Sequence, residues 1–314
     1  MGAILTITFP IFALIGVGYG AVRAGLFAPS DMKVLGKYVL NIALPALLFN
    51  AVATRDLGEV LNLGYVTVFA LGGLLTVAVT YLWFTLQGTG PARRAIAVMG
   101  STCPNSGFVG YPVMLLVFPD VAGVVLALNM VVENFLLIPL SLMLLEASRD
   151  RQGKSLLRIA GRIILGVLRR PMVIGLMLGL VVMLSGLPVP LMVTRLMDVL
   201  AASSSAIALF VIGGSLVGLP IVGQRVLAAQ IVAGKLLLHP LMTALVLFTL
   251  PLVGLPLLSG EMVIAVVLST AMPMFGIYTL LAQDYGHEGI ASLALLGATA
   301  GAFFTLSALL AILT

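Results

Sequence analysis

Long uninterrupted runs of apolar residues recur along the whole chain and indicate its fold class. The run from Ile4 to Ala21 shows no alternation of apolar and polar positions, whereas strands of a membrane barrel alternate over segments of roughly ten residues. A run of about 18 or more apolar residues, at about 1.5 Å per residue, can cross a hydrocarbon core roughly 30 Å thick. The pattern therefore predicts an all-α polytopic membrane protein.

These runs divide into ten predicted transmembrane spans. Their approximate ranges are residues 3–24, 34–53, 65–86, 94–118, 121–146, 172–187, 196–219, 226–250, 261–283 and 289–314. The sixth span is short, and the fourth and the ninth are interrupted. The first basic residue, Arg23, follows the first run. We therefore interpret that run as a retained helix and not as a cleaved signal peptide, which begins with a basic stretch.

Composition agrees with this class and narrows the chemistry. Of the 314 residues, 61% are hydrophobic and 9% charged, and the mean hydropathy is +1.23. Soluble domains carry about 25% charged residues, so a water-soluble enzyme is excluded. The single cysteine, Cys103, excludes an internal disulfide framework. Two histidines far apart in sequence, His239 and His287, argue against a zinc centre, and no metal or cofactor is expected.

Basic residues are distributed unequally between alternate loops. Fourteen of the 16 are assigned to one side: Arg23, Lys33, Lys37, Arg93, Arg94, Arg149, Arg151, Lys154, Arg158, Arg162, Arg169, Arg170, Arg225 and Lys235. Arg55 and Arg195 are assigned to the other. Lys and Arg concentrate in cytoplasmic loops, so both termini should face away from the cytoplasm. The net charge of +5 is thereby explained as a topology signal, and no nucleic acid partner is expected.

Residues 147–170 form the largest loop and divide the chain. This loop carries seven of those basic residues and has apolar residues at helical spacing, including Leu156, Ile159 and Ile163. We expect a basic amphipathic helix along the inner leaflet, with membrane lipid as its partner. Five spans lie on each side of the loop, and an odd number reverses the orientation of the second set. Residues 1–146 and 171–314 are therefore predicted to be two inverted repeats.

Prolines at corresponding places interrupt the fourth and ninth spans. Ser101 and Thr102 precede Pro104 in one, and Ser269 and Thr270 precede Pro273 in the other. A mid-helix proline removes a backbone donor and clashes with the preceding turn, so both helices should be broken there. Transporters place substrate sites at such breaks. A simple kink is the alternative, and it is our interpretation of the single prolines Pro45, Pro139 and Pro240.

The breaks also predict the charge of the ligand. Half-helices beginning near Asn105 and Met274 would point their free N–H groups toward the membrane centre, where an anion is favoured. The assignment of basic residues leaves none in mid-membrane. Binding should then come from amides, hydroxyls and helix ends, with Ser101, Thr102 and Ser106 among the candidates.

Three stretches of the chain resemble the auxin efflux carrier family. They are residues 39–49, residues 100–112 with Pro104-Asn105, and Glu133-Asn134 followed by Pro139. The family includes plant auxin exporters and bacterial malonate and malate carriers, and the short central loop is similar to the bacterial branch. The resemblance covers the whole chain and implies location in the plasma membrane, which is the inner membrane in a bacterium.

The resemblance also implies a fold and a mechanism. The broken fourth and ninth helices would cross in an X, as in the related sodium/proton antiporters and bile-acid symporters. Spans 1, 2, 6 and 7 would form a scaffold, and spans 3–5 and 8–10 a mobile unit that works by an elevator movement. A homodimer is implied in the same way.

Specific residues can be carried over from the family pattern. Asn105 and Asn134 match the asparagines that bind the substrate carboxylate, and Leu44 and Leu48 would line the site from the second span. Leu48 stands where a hydroxyl residue is expected, which leaves the substrate open among malonate, malate and an auxin-like acid. The sequence thus predicts a secondary transporter for a small organic anion.

Glu133 is the single carboxylate deep in a span, where a charge costs at least about 2.5–3.5 kcal/mol. It either carries a proton that couples transport or is a structural carboxyl. A sodium- or proton-coupled carrier of the same fold and a channel remain alternatives. An intramembrane enzyme would need a nucleophile with a base, and the chain has no GxSxG or HExxH string, so no enzymatic activity is expected.

Overall fold

A computed structural model describes most of the chain, and its regular elements are helices. The described residues are 2–55, 58, 62–149, 156–186, 188–220, 224–250, 258 and 260–313. In chain order the helices are α1 (Gly2–Arg23), α2 (Pro29–Ala53), α3 (Leu63–Leu86), α4 (Pro91–Thr102), α5 (Ser106–Val117), α6 (Ala122–Ala147), α7 (Leu156–Leu168), α8 (Pro171–Ser185), α9 (Leu191–Ser215), α10 (Arg225–Thr249), α11 (Glu261–Thr270), α12 (Tyr278–Gln283) and α13 (Glu288–Leu313).

Six of these helices are long and apolar enough to cross a membrane: α2, α3, α6, α9, α10 and α13. The end of α7, from Gly161, and α8 meet at a 67° bend and would add a seventh span if counted as one. These elements confirm an all-helical polytopic membrane protein. The count of ten spans and their inverted arrangement stay predictions.

The basic loop contains a helix, as its spacing predicts. Helix α7 begins at Leu156 and ends at Leu168, so the apolar positions at helical spacing lie within it. Arg151 and Lys154 lie outside the described residues. The position of α7 along a leaflet stays a prediction.

Each π-turn in the described helices ends two residues before a proline. The π-turns are Val39–Ala43, Ser106–Gly110, Glu133–Leu137 and Gly234–Leu238, and the prolines are Pro45, Pro112, Pro139 and Pro240. A proline cannot donate to the carbonyl four residues earlier and clashes with it. In the π-turn the residue before the proline donates one residue further back, as Leu44 does to the Val39 carbonyl. The helix therefore continues past its proline without breaking.

The described helices divide into two compact units. Unit 1 comprises Met1–Leu63, Ser106–Met130 and Leu168–Gly218. Within it α1 packs on α9 so closely that a Cβ at Gly213 would lie 1.8 Å from the Ile15 carbonyl oxygen. Small residues allow such backbone contact between membrane helices.

Unit 2 comprises Gly64–Asn105, Val131–Val167 and Leu219–Thr314. It contains α3, α4, the second part of α6, most of α7, and α10 to α13. The resemblance implied that spans 3–5 belong together with spans 8–10. The structure differs because Ser106–Met130, which forms α5 and the start of α6, packs with unit 1. The boundary falls directly after Asn105.

Candidate functional site

Two helices of unit 2 are interrupted at the predicted places. Helix α4 ends at Thr102 and is followed by an extended Cys103, with φ −83° and ψ 107°. Helix α11 ends at Thr270, and α12 begins only at Tyr278. Both predicted breaks are confirmed; we call residues 103–105 the first break and residues 271–277 the second break.

The two breaks pair with each other. Pro104 and Met274 form an antiparallel bridge. The Asn105 N–H donates to the Pro273 carbonyl at 2.9 Å, and the Phe275 N–H donates to the Cys103 carbonyl at 3.3 Å. Backbone polar groups at membrane depth must be satisfied within the protein. Each break therefore supplies partners for backbone groups that the other leaves outside a helix.

The half-helices after the breaks differ from each other. Helix α5 begins at Ser106, directly after Asn105, as expected, although its first turn is a π-turn. The expectation that a half-helix begins near Met274 is wrong. Met274 lies within the extended bridge, and α12 has only six residues. A helix-end contribution to anion binding is thus restricted to the α5 side.

The predicted site residues are all buried. Those in unit 2 are Ser101, Thr102, Pro104, Asn105, Glu133, Asn134, Pro273 and Met274. Those in unit 1 are Leu44, Leu48 and Ser106. The structure brings Pro104 and Asn105 together with Pro273 and Met274. The roles assigned to these residues in substrate binding stay predictions.

Helix α6 approaches the first break through its second half. The hydroxyl of Ser141 lies 3.4 Å from the Cys103 sulfur. Asn134 lies in the π-turn Glu133–Leu137 of the same helix, N-terminal to Ser141. The predicted asparagine thus lies on the helix that packs against the first break.

Hydroxyl groups lie directly beside the breaks. The Thr102 hydroxyl donates to the Val98 carbonyl of its own helix at 2.8 Å. The Ser101 hydroxyl is buried and has no hydrogen-bond partner among the described residues. A Cβ added at Gly234 would lie 2.5 Å from that hydroxyl oxygen. Ser101 therefore faces α10 at the level of its π-turn.

A buried cation beside the second break was missed in the sequence. Lys235 lies about ten residues into α10, roughly 15 Å from its start at 1.5 Å per residue, and is fully buried. Its Nζ atom donates to the Thr270 carbonyl at 2.5 Å and lies 3.0 Å from His239 Nδ1. Assigning Lys235 to a cytoplasmic loop was wrong, and so was the expectation that no basic residue lies in mid-membrane.

Polar groups from three helices surround the Lys235 amino group. Thr270 is the last residue of α11, and free carbonyls at a helix end carry partial negative charge. His239 Nδ1 is a second polar atom within hydrogen-bond distance of the same Nζ atom. The carboxyl of Glu133 lies within electrostatic range of the same amino group. One sequence signal could have revealed this group, since Lys235 and His239 are four residues apart on one helix face within an apolar run.

Two tyrosines of unit 2 form hydrogen bonds with the interrupted helices. The Tyr278 hydroxyl donates to the Ile96 carbonyl of α4 at 3.1 Å, and the Tyr65 and Ser269 hydroxyls lie 3.0 Å apart. A Cβ at Gly100 would lie 2.5 Å from the Tyr278 hydroxyl oxygen. The ends of α4 and α11 are thus fixed by contacts on both sides of the bridge.

A polar cluster closes one end of unit 2. The Arg149 guanidinium lies 4.0 Å from the centre of the Tyr285 ring and donates to the Asp284 carbonyl at 2.9 Å. The Tyr285 hydroxyl donates to Glu146 at 3.4 Å. Burial and the nearby Glu146 raise the pKa of Tyr285. These contacts join the end of α6 to the segment after α12.

A family model described as a membrane transport protein matches residues 3–310. The chain belongs to the auxin efflux carrier family. This membership confirms the resemblance identified from Pro104-Asn105 and its neighbouring motifs, and with the apolar helices it identifies a membrane transporter. The paired breaks and Lys235 therefore lie in the fold of a transport protein.

Relatives in the family share moderate identity with the chain. The "Uncharacterized transporter YfdV" of Escherichia coli is 26% identical over 66% of this chain and 67% of that protein. A protein named as a candidate malonate transporter in Rhizobium meliloti is 26% identical over 70% and 69%. Auxin efflux carrier component 3 of Arabidopsis thaliana is 23% identical over 46% of this chain and 22% of that protein. A transporter from Methanothermobacter thermautotrophicus is matched over only 39% of its length.

Proposed function

We propose that the chain is a secondary transporter for a small organic anion, with a mono- or dicarboxylate such as malonate or malate as substrate. The single observation that carries this proposal is the pairing of two breaks beside the buried Lys235. Transporters place their substrate sites at interrupted helices within the membrane. The malonate and auxin carriers among the relatives support a carboxylate over an inorganic anion.

The binding site is proposed to lie around the first break. Asn105 and Asn134 supply amide donors for the carboxylate, and the Ser101 and Thr102 hydroxyls border the site. Lys235 contributes positive potential without leaving the Thr270 carbonyl, so we assign it a positioning role. Such a site has few charge-assisted contacts, which suits a substrate that must be released at every cycle.

The proposed mechanism is an elevator movement of unit 2, which carries both breaks. The proposed fold has ten spans in two inverted repeats, residues 1–146 and 171–314, and both termini lie outside the cytoplasm. The contacts of Tyr278 and Lys235 support the movement of unit 2 as one body, because they join α12 to α4 and α10 to α11. Ser106, Leu44 and Leu48 of unit 1 stay predicted lining residues, and the homodimer stays a prediction.

Binding is tested by thermal shift of the purified protein against a carboxylate panel at two pH values, with and without sodium. A ligand that binds only the folded state raises the melting temperature. Asn105→Ala should abolish the shift given by the best carboxylate while leaving a folded protein. Asn41→Ala is the matched control, because the exposed Asn41 amide donates to the Lys37 carbonyl of its own helix. Equal shifts in the Asn105→Ala variant and the parent protein would refute the site.

Counterflow in proteoliposomes separates a carrier from a channel. Vesicles loaded with unlabelled malonate should accumulate labelled malonate transiently, because a carrier exchanges substrate through one alternating site. A channel would give only downhill equilibration. Absence of counterflow for every carboxylate that stabilises the protein would refute the proposed mechanism.

A further inference from the structure

Two cavities of different chemistry meet at one end of unit 2. The first has a volume of about 750 Å³ and lies between the α3–α4 loop and the start of α10. Arg93 and Arg225 line it together with Gln87 and Gln230. Among the described residues of its lining none is acidic. This cavity therefore suits a group that is negatively charged and accepts hydrogen bonds.

The second cavity is an apolar groove of about 560 Å³ between α10 and α13. Its lining includes Ala233, Leu237, Gly301 and Phe304, and it begins at Arg225, which also lines the first cavity. Leu237 and Phe304 are exposed. Lipid acyl chains, and not water, contact an exposed apolar groove in the membrane-spanning part of a protein.

The dimensions and order of the two cavities match one lipid molecule. From Arg225 to Leu237 the groove runs along α10 for about twelve residues, or roughly 18 Å at 1.5 Å per residue. One leaflet contributes about half of a hydrocarbon core roughly 30 Å thick. The arginine-lined cavity thus lies at the level of headgroups when the groove lies at the level of acyl chains.

We propose that these cavities bind an anionic glycerophospholipid of the inner leaflet. Its phosphate would contact Arg93 and Arg225, and one acyl chain would occupy the α10–α13 groove. Arginine forms strong charge-assisted bonds to phosphate through two parallel N–H groups. Anionic lipids are attracted to basic groups at the cytoplasmic surface, which is the side that the distribution of Lys and Arg assigns to this end.

The neighbouring arginine has a different role. Arg94 lies over the Tyr81 ring, 4.5 Å from its centre, and donates to the Thr85 hydroxyl at 3.0 Å. Arg94 is therefore used in joining α3 to α4, whereas Arg93 and Arg225 face the cavity. The cavity is also separate from the paired breaks, because Arg93 precedes Cys103 by about ten residues, or roughly 15 Å of helix.

The proposal is tested with the purified full chain in nanodiscs and in detergent. Phosphatidylglycerol should raise the melting temperature and appear as a bound adduct in native mass spectrometry, and phosphatidylcholine should do neither to the same extent. The Arg93→Gln, Arg225→Gln double variant should lose about 30-fold in apparent affinity, since each basic residue at a membrane surface contributes roughly a factor of five. Arg23→Gln is the matched control, because Arg23 is exposed at the end of α1 in unit 1.

A second variant examines the groove independently of charge. Ala233→Leu adds bulk to the exposed groove wall and should weaken the phosphatidylglycerol effect while both arginines remain. The proposal is overturned if inorganic phosphate reproduces the stabilisation, because the site would then bind a soluble anion. Equal stabilisation by phosphatidylcholine, or unchanged affinity in either the double variant or Ala233→Leu, would overturn it as well.

Discussion

The Nζ atom of Lys235 lies 2.5 Å from the carbonyl oxygen of Thr270, the last residue of α11. A buried amino group thereby donates to the carbonyl end of an interrupted helix, at the place where the second break begins. The carbonyls freed by the break would otherwise lack donors in a medium without water. The lysine therefore contributes to the stability of the break itself.

Lys235→Met should destabilise the protein, because the Thr270 carbonyl would lose its donor and the Glu133 carboxyl a nearby electrostatic partner. Leaving a buried group unsatisfied costs about 1–3 kcal/mol, and more for a charge. The melting temperature in detergent measures this loss. Lys33→Met, at an exposed lysine of α2, is the control. Adding Glu133→Gln should restore part of the stability; a purely additive double variant would show that the two groups are not coupled.

Gly100→Ala should also destabilise unit 2, by overpacking. A Cβ at this position would lie 2.5 Å from the Tyr278 hydroxyl oxygen and 2.8 Å from Ile231 Cγ2. Overpacking of a well-packed interior costs about 1–3 kcal/mol, and it is measured by thermal unfolding. Gly276→Ala, in the second break, is the control because a Cβ there meets nothing within 4 Å. Equal melting temperatures for both variants would contradict the packing at α4.

Glu133→Gln tests whether the buried carboxyl couples transport to protons. If the carboxyl carries the proton, transport of labelled malonate in proteoliposomes should become nearly independent of an imposed pH gradient. The isosteric amide keeps a hydrogen-bonding side chain in the same space. If the variant transports with the pH dependence of the parent protein, Glu133 has a structural role only.

His287 predicts a pH dependence of stability outside the membrane-spanning helices. Burial, together with the nearby Arg93, lowers its pKa below the ordinary value of 6.5. As pH falls through 6.5 the unfolded chain takes up a proton that the folded protein resists, so stability is lost on acidification. When the pH is lowered from 7.5 to 5.5, the melting temperature of the parent protein should decrease more than that of the His287→Gln variant. Parallel losses would show that His287 does not contribute.

The fold class and the two breaks could be predicted from the sequence, because apolar run length and mid-span prolines act locally. Pro104 and Pro273 each remove a backbone donor whatever surrounds them. Only the family resemblance implied that the two broken helices cross, since the pairing of the breaks depends on where distant segments meet and not on local pattern. The prediction that a half-helix begins near Met274 was wrong for the same reason, because the bridge to Pro104 holds Met274 in an extended conformation.

The position of Lys235 could not be predicted by assigning basic residues to loops. Counting basic residues by alternate loops assumes that each one lies outside the membrane, and this holds only when no buried partner compensates the charge. The Thr270 carbonyl lies 35 residues further along the chain. A π-turn inserts one residue into a helix and rotates all later positions by about 100°. Residues assigned to a helix face by regular α-helical spacing are therefore assigned to the wrong face after such a turn. Asn134 lies within such a turn.

The bridge between Pro104 and Met274 has a consequence for how the protein is made. Its two sides are 170 positions apart in the chain. Chains are synthesised at roughly 5–20 residues per second. Residues 103–105 are therefore made on the order of ten to thirty seconds before the residues with which they pair. During that time the backbone of residues 103–105 is already in the membrane region without its permanent partners. The backbone groups of the first break therefore obtain their partners only when the second half of the chain has been inserted. A chain ending before residue 273 should be recognised as incomplete and degraded.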